Sequence, residues 1–187
     1  MCSWVDLPRL FLHHVVPLGV ESLDWEDSTE ARVMKKIDIE NAPQRFGTAY
    51  PAPYDAPCKE RRRFRLAKAA GLKQFGVNML RLPPGQWSSQ RHWHHHNDEF
   101  VMVVQGEVVL VTDAGEEVFR AGDCAGFAAG EANGHHFQNR STEEAVLLEI
   151  GTSHSEDIAE YPDIDMHGLP EGYVHKDGTP YGAKRMS

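Results

Sequence analysis

From residue 75 onward the chain repeats one theme, a short run rich in Val, Leu, Phe and Met followed by a polar turn. Turn signals stand at Pro83-Pro84-Gly85, Gln105-Gly106, Asp113-Ala114-Gly115, Ala121-Gly122-Asp123, between Gly130 and Gly134, and between Asn139 and Thr142. Turns recurring every 8 to 12 residues or so between β-prone runs predict an all-β sandwich or barrel. The spacing predicts strands near 75–82, 86–95, 99–105, 107–112, 116–120, 124–128, 135–139 and 145–151.

The flanks read differently. Residues 41–58 carry Pro43, Pro51, Pro53 and Pro57 with Gly47, a composition that argues against either ladder and suggests an extended arm laid over a surface. One short helical turn is expected within 61–71. Beyond Gly151 the chain turns polar, with Tyr161-Pro162-Asp163 and Asp177-Gly178-Thr179-Pro180, and a second irregular arm is expected at 153–187. The organisation expected is thus an extension at 1–33, a Pro-rich arm at 34–74, a barrel at 75–152 and the C-terminal arm. Met34-Lys35-Lys36-Ile37-Asp38 resembles an ordinary protein start, so Met34 is the expected initiator.

Alternation along each strand decides which side chains share a face. His92 and His94 agree, with Ser88 and Gln90. Glu99 shares its face with Val101 and Val103, while Phe100, Met102 and Val104 point the other way. Both faces of that strand are apolar, so an arm or a second subunit must cover the outer one, and a homodimer is the expected cover.

Composition narrows the class. The 187 residues suit one domain, and a formal net charge of -9 disfavours nucleic acid or an anionic membrane surface as partner. The basic run at 59–65 is interrupted by Glu60 and Phe64 and reads as a solvated face or an anchor for the chain's own carboxylates. Three cysteines, Cys2, Cys58 and Cys124, form no Cys-x-x-Cys and suggest no disulfide framework, which fits a reducing cytoplasm. Cys124 is expected to be a buried small apolar residue. No apolar run approaches the roughly 20 residues that span a bilayer, and Arg9, His13, His14 and Pro17 interrupt the most apolar early stretch.

The chemistry concentrates in Arg91-His92-Trp93-His94-His95-His96-Asn97-Asp98-Glu99, which holds four of the chain's eleven histidines. Imidazole and carboxylate are ligands for first-row metals, and their spacing suits one ion at a strand-to-strand corner. A solvated polar edge is the bland alternative. Trp87 and Trp93 fall opposite the ligand face, as packing residues.

Gly85, six residues, His92-Trp93-His94, four residues, Glu99, six residues and Gly106 resemble the first motif of the cupin superfamily. Gly122-Asp123 through Gly130, His135 and Asn139 resembles the second. The resemblance covers about residues 75–152. It implies a small antiparallel Greek-key jelly-roll barrel, often dimeric, with one divalent transition metal (Fe, Mn, Ni or Zn) in its mouth. It makes His92, His94 and Glu99 ligands and a second-motif histidine the fourth. The chain departs from the motif here, with two extra residues after Gly130 and Ala128 in place of the usual proline. Strand parity favours His135 over His136. His95 and His96 are then corner residues outside the ligand set.

Such a centre would leave coordination positions open for a substrate oxygen or dioxygen. The leading expectation is a metal-dependent enzyme acting on a small polar metabolite, by oxygenase or Lewis-acid chemistry. Gln90 is the substrate-orienting candidate, and Glu149 the proton carrier or else an outward surface carboxylate. The alternative is a metal-containing binding or sensing module without turnover. Sugar-phosphate isomerisation would want Lys and Arg facing the mouth. Only Arg81 and Arg91 lie nearby, both with the wrong parity, which disfavours that option among isomerase, decarboxylase, lyase and oxygenase.

Overall fold

A computed structural model describes residues 36–182 of the chain. The expected initiator at Met34 and the segment before it lie outside the described residues.

Ten strands and one short helix carry the first part of the architecture and the barrel. They are β1 (Gln44–Phe46), β2 (Arg62–Arg65), α1 (Leu66–Ala70), β3 (Phe75–Leu82), β4 (Trp93–His94), β5 (Glu99–Gln105), β6 (Glu107–Thr112), β7 (Gly115–Arg120), β8 (Cys124–Phe127), β9 (His136–Gln138) and β10 (Ala145–Thr152). The C-terminal segment adds β11 (Ala159–Tyr161), β12 (Met166–Leu169) and β13 (Gly172–Val174). Among the described residues every pairing is antiparallel. A six-stranded sheet runs β1-β2-β3-β10-β5-β8, and it faces a three-stranded sheet β7-β6-β9.

The core lies between these two sheets. Leu80, Leu82, Val101, Val103, Ala145 and Leu147 come from the larger sheet, and Val108, Leu110, Phe119 and Phe137 from the smaller. Register explains the selection: Leu147 stands opposite both Leu80 and Val103, so three large apolar side chains meet on one face of neighbouring strands. The turn into β6 requires Gly106, whose φ of 80° and whose 3.0 Å clearance to the Ala145 Cα leave no place for a Cβ. Asn139 closes the sequel to β9, because its buried amide donates to the Leu82 and Glu143 carbonyls and satisfies two loop acceptors at once.

Four expectations fail locally. The strand predicted at 86–95 is broken: bridges join Trp87 to Gln138 and His92 to His135, so five steps on one side match three on the other. The surplus of two residues between Trp87 and His92 bulges across Ser89, Gln90 and Arg91. The N-terminal arm is not ladder-free, since β1 and β2 pair with each other and extend the main sheet from β3. The C-terminal arm is not irregular either. Its strands β11, β12 and β13 form a meander that takes β4 as its fourth member. Cys124 is exposed, because β8 is an edge strand of the large sheet, whereas Cys58 is buried.

The outward row of β5 remains exposed in the single chain, with Phe100, Met102 and Val104 at 40%, 37% and 47%. The arm does not lie over it, because β1 and β2 continue the sheet sideways from β3.

Candidate metal centre

Four side chains from three places in the sequence converge at the open end of the barrel. His92 ends the bulge, His94 lies on β4, Glu99 starts β5, and His135 immediately precedes β9. His135 Nε2 lies 2.9 Å from Glu99 Oε2, and the same oxygen is 3.8 Å from His92 Nε2 and 3.7 Å from His94 Nε2. Potential ligand atoms of His92, Glu99 and His135 all lie within 4.8 Å of one another. The His94 ring centroid is 4.9 Å from that of His92, so it borders the same point.

The scaffold orients each imidazole from behind. His92 Nδ1 is 3.0 Å from the Gln90 carbonyl, and its ring stacks on Tyr161. His94 Nδ1 is 2.5 Å from Asp157 Oδ2, a residue of the segment before β11. Asp157 Oδ1 also accepts the backbone N–H of His96. The His135 ring lies flat on Phe127 at 3.5 Å, while its Nδ1 is buried without a partner. A carboxylate behind a ligating imidazole fixes both its rotation and the proton-free nitrogen it presents. Asp157→Asn is therefore expected to lower divalent-metal affinity about 10–100-fold while leaving the fold intact, as read by competition with a chromogenic chelator.

Electrostatics suit cation binding. Burial pushes the His92 imidazole down to about 3, against the opposing pull of Glu99, so it is neutral near pH 7 with a free lone pair. Burial alone would raise the Glu99 carboxyl. The His135 hydrogen bond and the neighbouring imidazoles outweigh burial and hold that carboxyl well below the usual carboxylate range. Three imidazoles around one carboxylate form a donor set suited to a first-row divalent ion, and the clustering of their atoms fits one such ion.

The other histidines of the run go elsewhere. His95 stacks on Trp93 and reaches Glu160, and His96 lies against His154. His136 also turns away: its Nδ1 meets the Ser89 carbonyl and its ring abuts Trp87. Trp87 packs on the second apolar cluster beside Tyr50 and Tyr161. Gln90 is not brought to the centre. The bulge turns it away from the centre, and its Nε2 donates to the Tyr54 carbonyl at 2.6 Å, where the residue is buried beneath the arm.

Two cavities of about 260 Å³ each open onto this point, and His94, Glu99 and His135 line both. One is walled by Trp93, Asn97, Glu117, Phe119, Glu131 and Asn133. The other is walled by Arg45, Arg61, Arg63, Tyr50, Glu149 and Tyr173. Glu149 is thus not an outward surface carboxylate. It stands opposite Val101 on the inner face of the sheet, and Arg63 grips it with Nη2 at 2.8 Å from Oε1 and Nε at 2.7 Å from Oε2. The expectation that no basic cluster faces the mouth is overturned. Arg81 and Arg91 are indeed engaged elsewhere, with Glu40 and with Asp113 and Asp163. The cluster comes instead from the arm: Arg63 of β2 stands on the face that carries Leu80, Arg61 lies two residues before it, and Arg45 of β1 is its cross-strand partner.

The cupin domain model matches residues 78–151. A crystal structure from Silicibacter pomeroyi, described as a sugar phosphate isomerase of the cupin superfamily, is 43% identical with a TM-score of 0.74, over 82% of this chain and 100% of that one. The chain belongs to the cupin superfamily. A second structure, from Acidithiobacillus ferrooxidans and with a provisional sugar phosphate isomerase assignment, is 26% identical over 68% of this chain and 82% of that one, at a TM-score of 0.59. A polyketide cyclase from Streptomyces resistomycificus shares the cupin fold at 18% identity and a TM-score of 0.54, over 65% and 80% of the two chains. A search of curated proteins gives no match. Among the described residues, no helix is long and apolar enough to cross a membrane.

Proposed function

We propose that this cupin is a metal-dependent enzyme that isomerises a small phosphorylated sugar. The observation that carries the reading is the pair of cavities meeting at one histidine and carboxylate centre, one lined by arginines and the other by amides and carboxylates. An extended metabolite with an anionic end and a hydroxylated end would straddle such a centre. The relative from Silicibacter pomeroyi, described as a sugar phosphate isomerase, supports the same class.

His92, His94, Glu99 and His135 would hold the ion, and the ion would supply Lewis-acid polarisation of a substrate carbonyl or hydroxyl oxygen. Asn97 and Asn133 offer amide donors and acceptors to hydroxyl groups in the second cavity. Glu149 is the carboxylate of the arginine-lined cavity outside the ligand set, and Arg63 fixes its direction. It would take the proton from the hydroxyl-bearing carbon beside the carbonyl and return it to the carbonyl carbon, while the proton of that hydroxyl passes to the former carbonyl oxygen.

The test is proton NMR of pentose and hexose phosphates in deuterium oxide with the metal-reconstituted protein. Interconversion of aldose and ketose forms with solvent deuterium at the transferred position is expected. Glu149→Gln should cut the rate about 100-fold with metal content unchanged. Saturable binding without turnover would replace the enzyme with a binding module, and substrate-dependent oxygen uptake would replace the isomerase with an oxygenase.

A further inference from the structure

We propose that Arg61 is the residue that anchors the phosphate of the substrate, resting on the reading of the arginine-lined cavity as the substrate mouth. Arg61 directly precedes β2 and lines that cavity together with Arg45 and Arg63. The residue is only 4% exposed. Its Nε donates to the Gly47 carbonyl at 3.1 Å, which fixes the plane of the guanidinium, and its backbone carbonyl accepts the Gly47 N–H. The Tyr50 ring lies beneath the cation at 5.8 Å. Yet Nη1 is buried with no hydrogen-bond partner.

A buried guanidinium with an idle donor is costly unless something completes it, because the desolvated charge has lost its water. Arg63 also keeps a buried Nε with no hydrogen-bond partner, but its Nη2 donates to Glu149 Oε1 and its Nε lies 2.7 Å from Oε2, so its charge is paired where that of Arg61 is not. Among the described residues, neither Arg45 nor Arg61 has an ion-pair partner, and the cavity sets three arginines against the carboxylates of Glu99 and Glu149. Repulsion from Arg63 adds to burial in disfavouring the Arg61 cation, and an incoming anion would relieve both. A phosphate monoester supplies two negative charges and several acceptor oxygens, which suits a rigid planar fork better than a point charge would. A ligand gripped there extends past Glu149 toward Glu99 and His135, since all of them line one space of about 260 Å³. Recognition of the anion thus falls to a residue outside the ligand set.

Calorimetry with inorganic phosphate, with acetate at matched ionic strength as control, tests the assignment on wild-type, Arg61→Gln and Arg61→Lys chains. Manganese uptake by each chain serves as the check on folding and on the metal centre. Saturable phosphate binding to the wild type is expected, weakened about ten- to a hundredfold in Arg61→Gln and less in Arg61→Lys, with manganese uptake retained. Should the Gln variant fail to take up manganese, the Lys variant carries the comparison. Equal phosphate affinity in wild type and variants, no saturable binding in the wild type, or acetate bound as tightly as phosphate would each overturn the proposal. Arg61-dependent phosphate binding in a chain that turns over no sugar phosphate would uphold the anchor and sink the isomerase reading.

Discussion

Replacing His135 with alanine is expected to abolish metal binding, whereas the same change at the adjacent His136 is expected to leave one ion per chain. The two imidazoles sit side by side in sequence and are both 4% exposed, yet they point into different surroundings. His135 Nε2 lies against Glu99, while His136 is committed to the Ser89 carbonyl and to Gln138. Removal of His135 deletes one of the three donors that cluster most tightly and also takes away the ring that lies flat on Phe127, so Glu99 loses its nearest partner. The loss should therefore exceed the roughly 10–100-fold that follows when a residue supporting a ligand is removed. Elemental analysis after dialysis distinguishes the outcomes. Equal metal content in the two variants would refute the assignment of His135.

A second large effect is acid lability of the metal-free protein. Burial pushes His92 down to about 3 and His136 down to about 4 from an ordinary 6.5. Below pH 6.5 the unfolded chain takes up protons at both positions while the folded chain does not, so stability falls as pH falls. Glu99 acts in the same direction at lower pH, since its depressed carboxyl favours the folded state only while the unfolded carboxylate remains ionised. At about 1.4 kcal/mol per pH unit for each ring, proton uptake by the unfolded chain at these two positions removes several kcal/mol on acidification, a large part of the stability of an ordinary domain. Urea midpoints should fall steadily between about pH 6.5 and pH 4, and bound metal should raise the midpoint at neutral pH by mass action and lose that effect as acid displaces it. A midpoint unchanged from pH 7 to pH 5 would contradict the buried, neutral state of these rings.

The strands of the barrel are legible because each is short, apolar and punctuated. β3, β5, β6 and β10 fall within a residue of the limits that turn signals set. The strand through His92 is not, because a bulge costs no hydrophobic residue and leaves no composition signal. Gln90 shows the consequence: strict alternation puts it beside His92, and two extra residues turn it toward Tyr54. The basic run was obscured for a different reason. Arg61-Arg62-Arg63-Phe64-Arg65 looks like solvated surface when charges are counted, but read with period two it presents Arg61, Arg63 and Arg65 on one face, and the fully buried Phe64 on the other is the sign of a strand. Asp157 carries no local signal. Its role exists only because the meander of β11 brings a residue 63 positions away behind His94.

The arm enters the main sheet through β2, and this divides labour along the chain. Histidines and Glu99 that would hold the ion belong to the barrel, while the guanidiniums that would read the substrate arrive on the arm, whose strand β2 enters the main sheet beside β3. Substitutions in a dozen residues of that strand and its approach could exchange one anion for another without disturbing the metal ligands. Relatives with the same histidine pattern and a different arm should accordingly differ in substrate while keeping the same coordination chemistry.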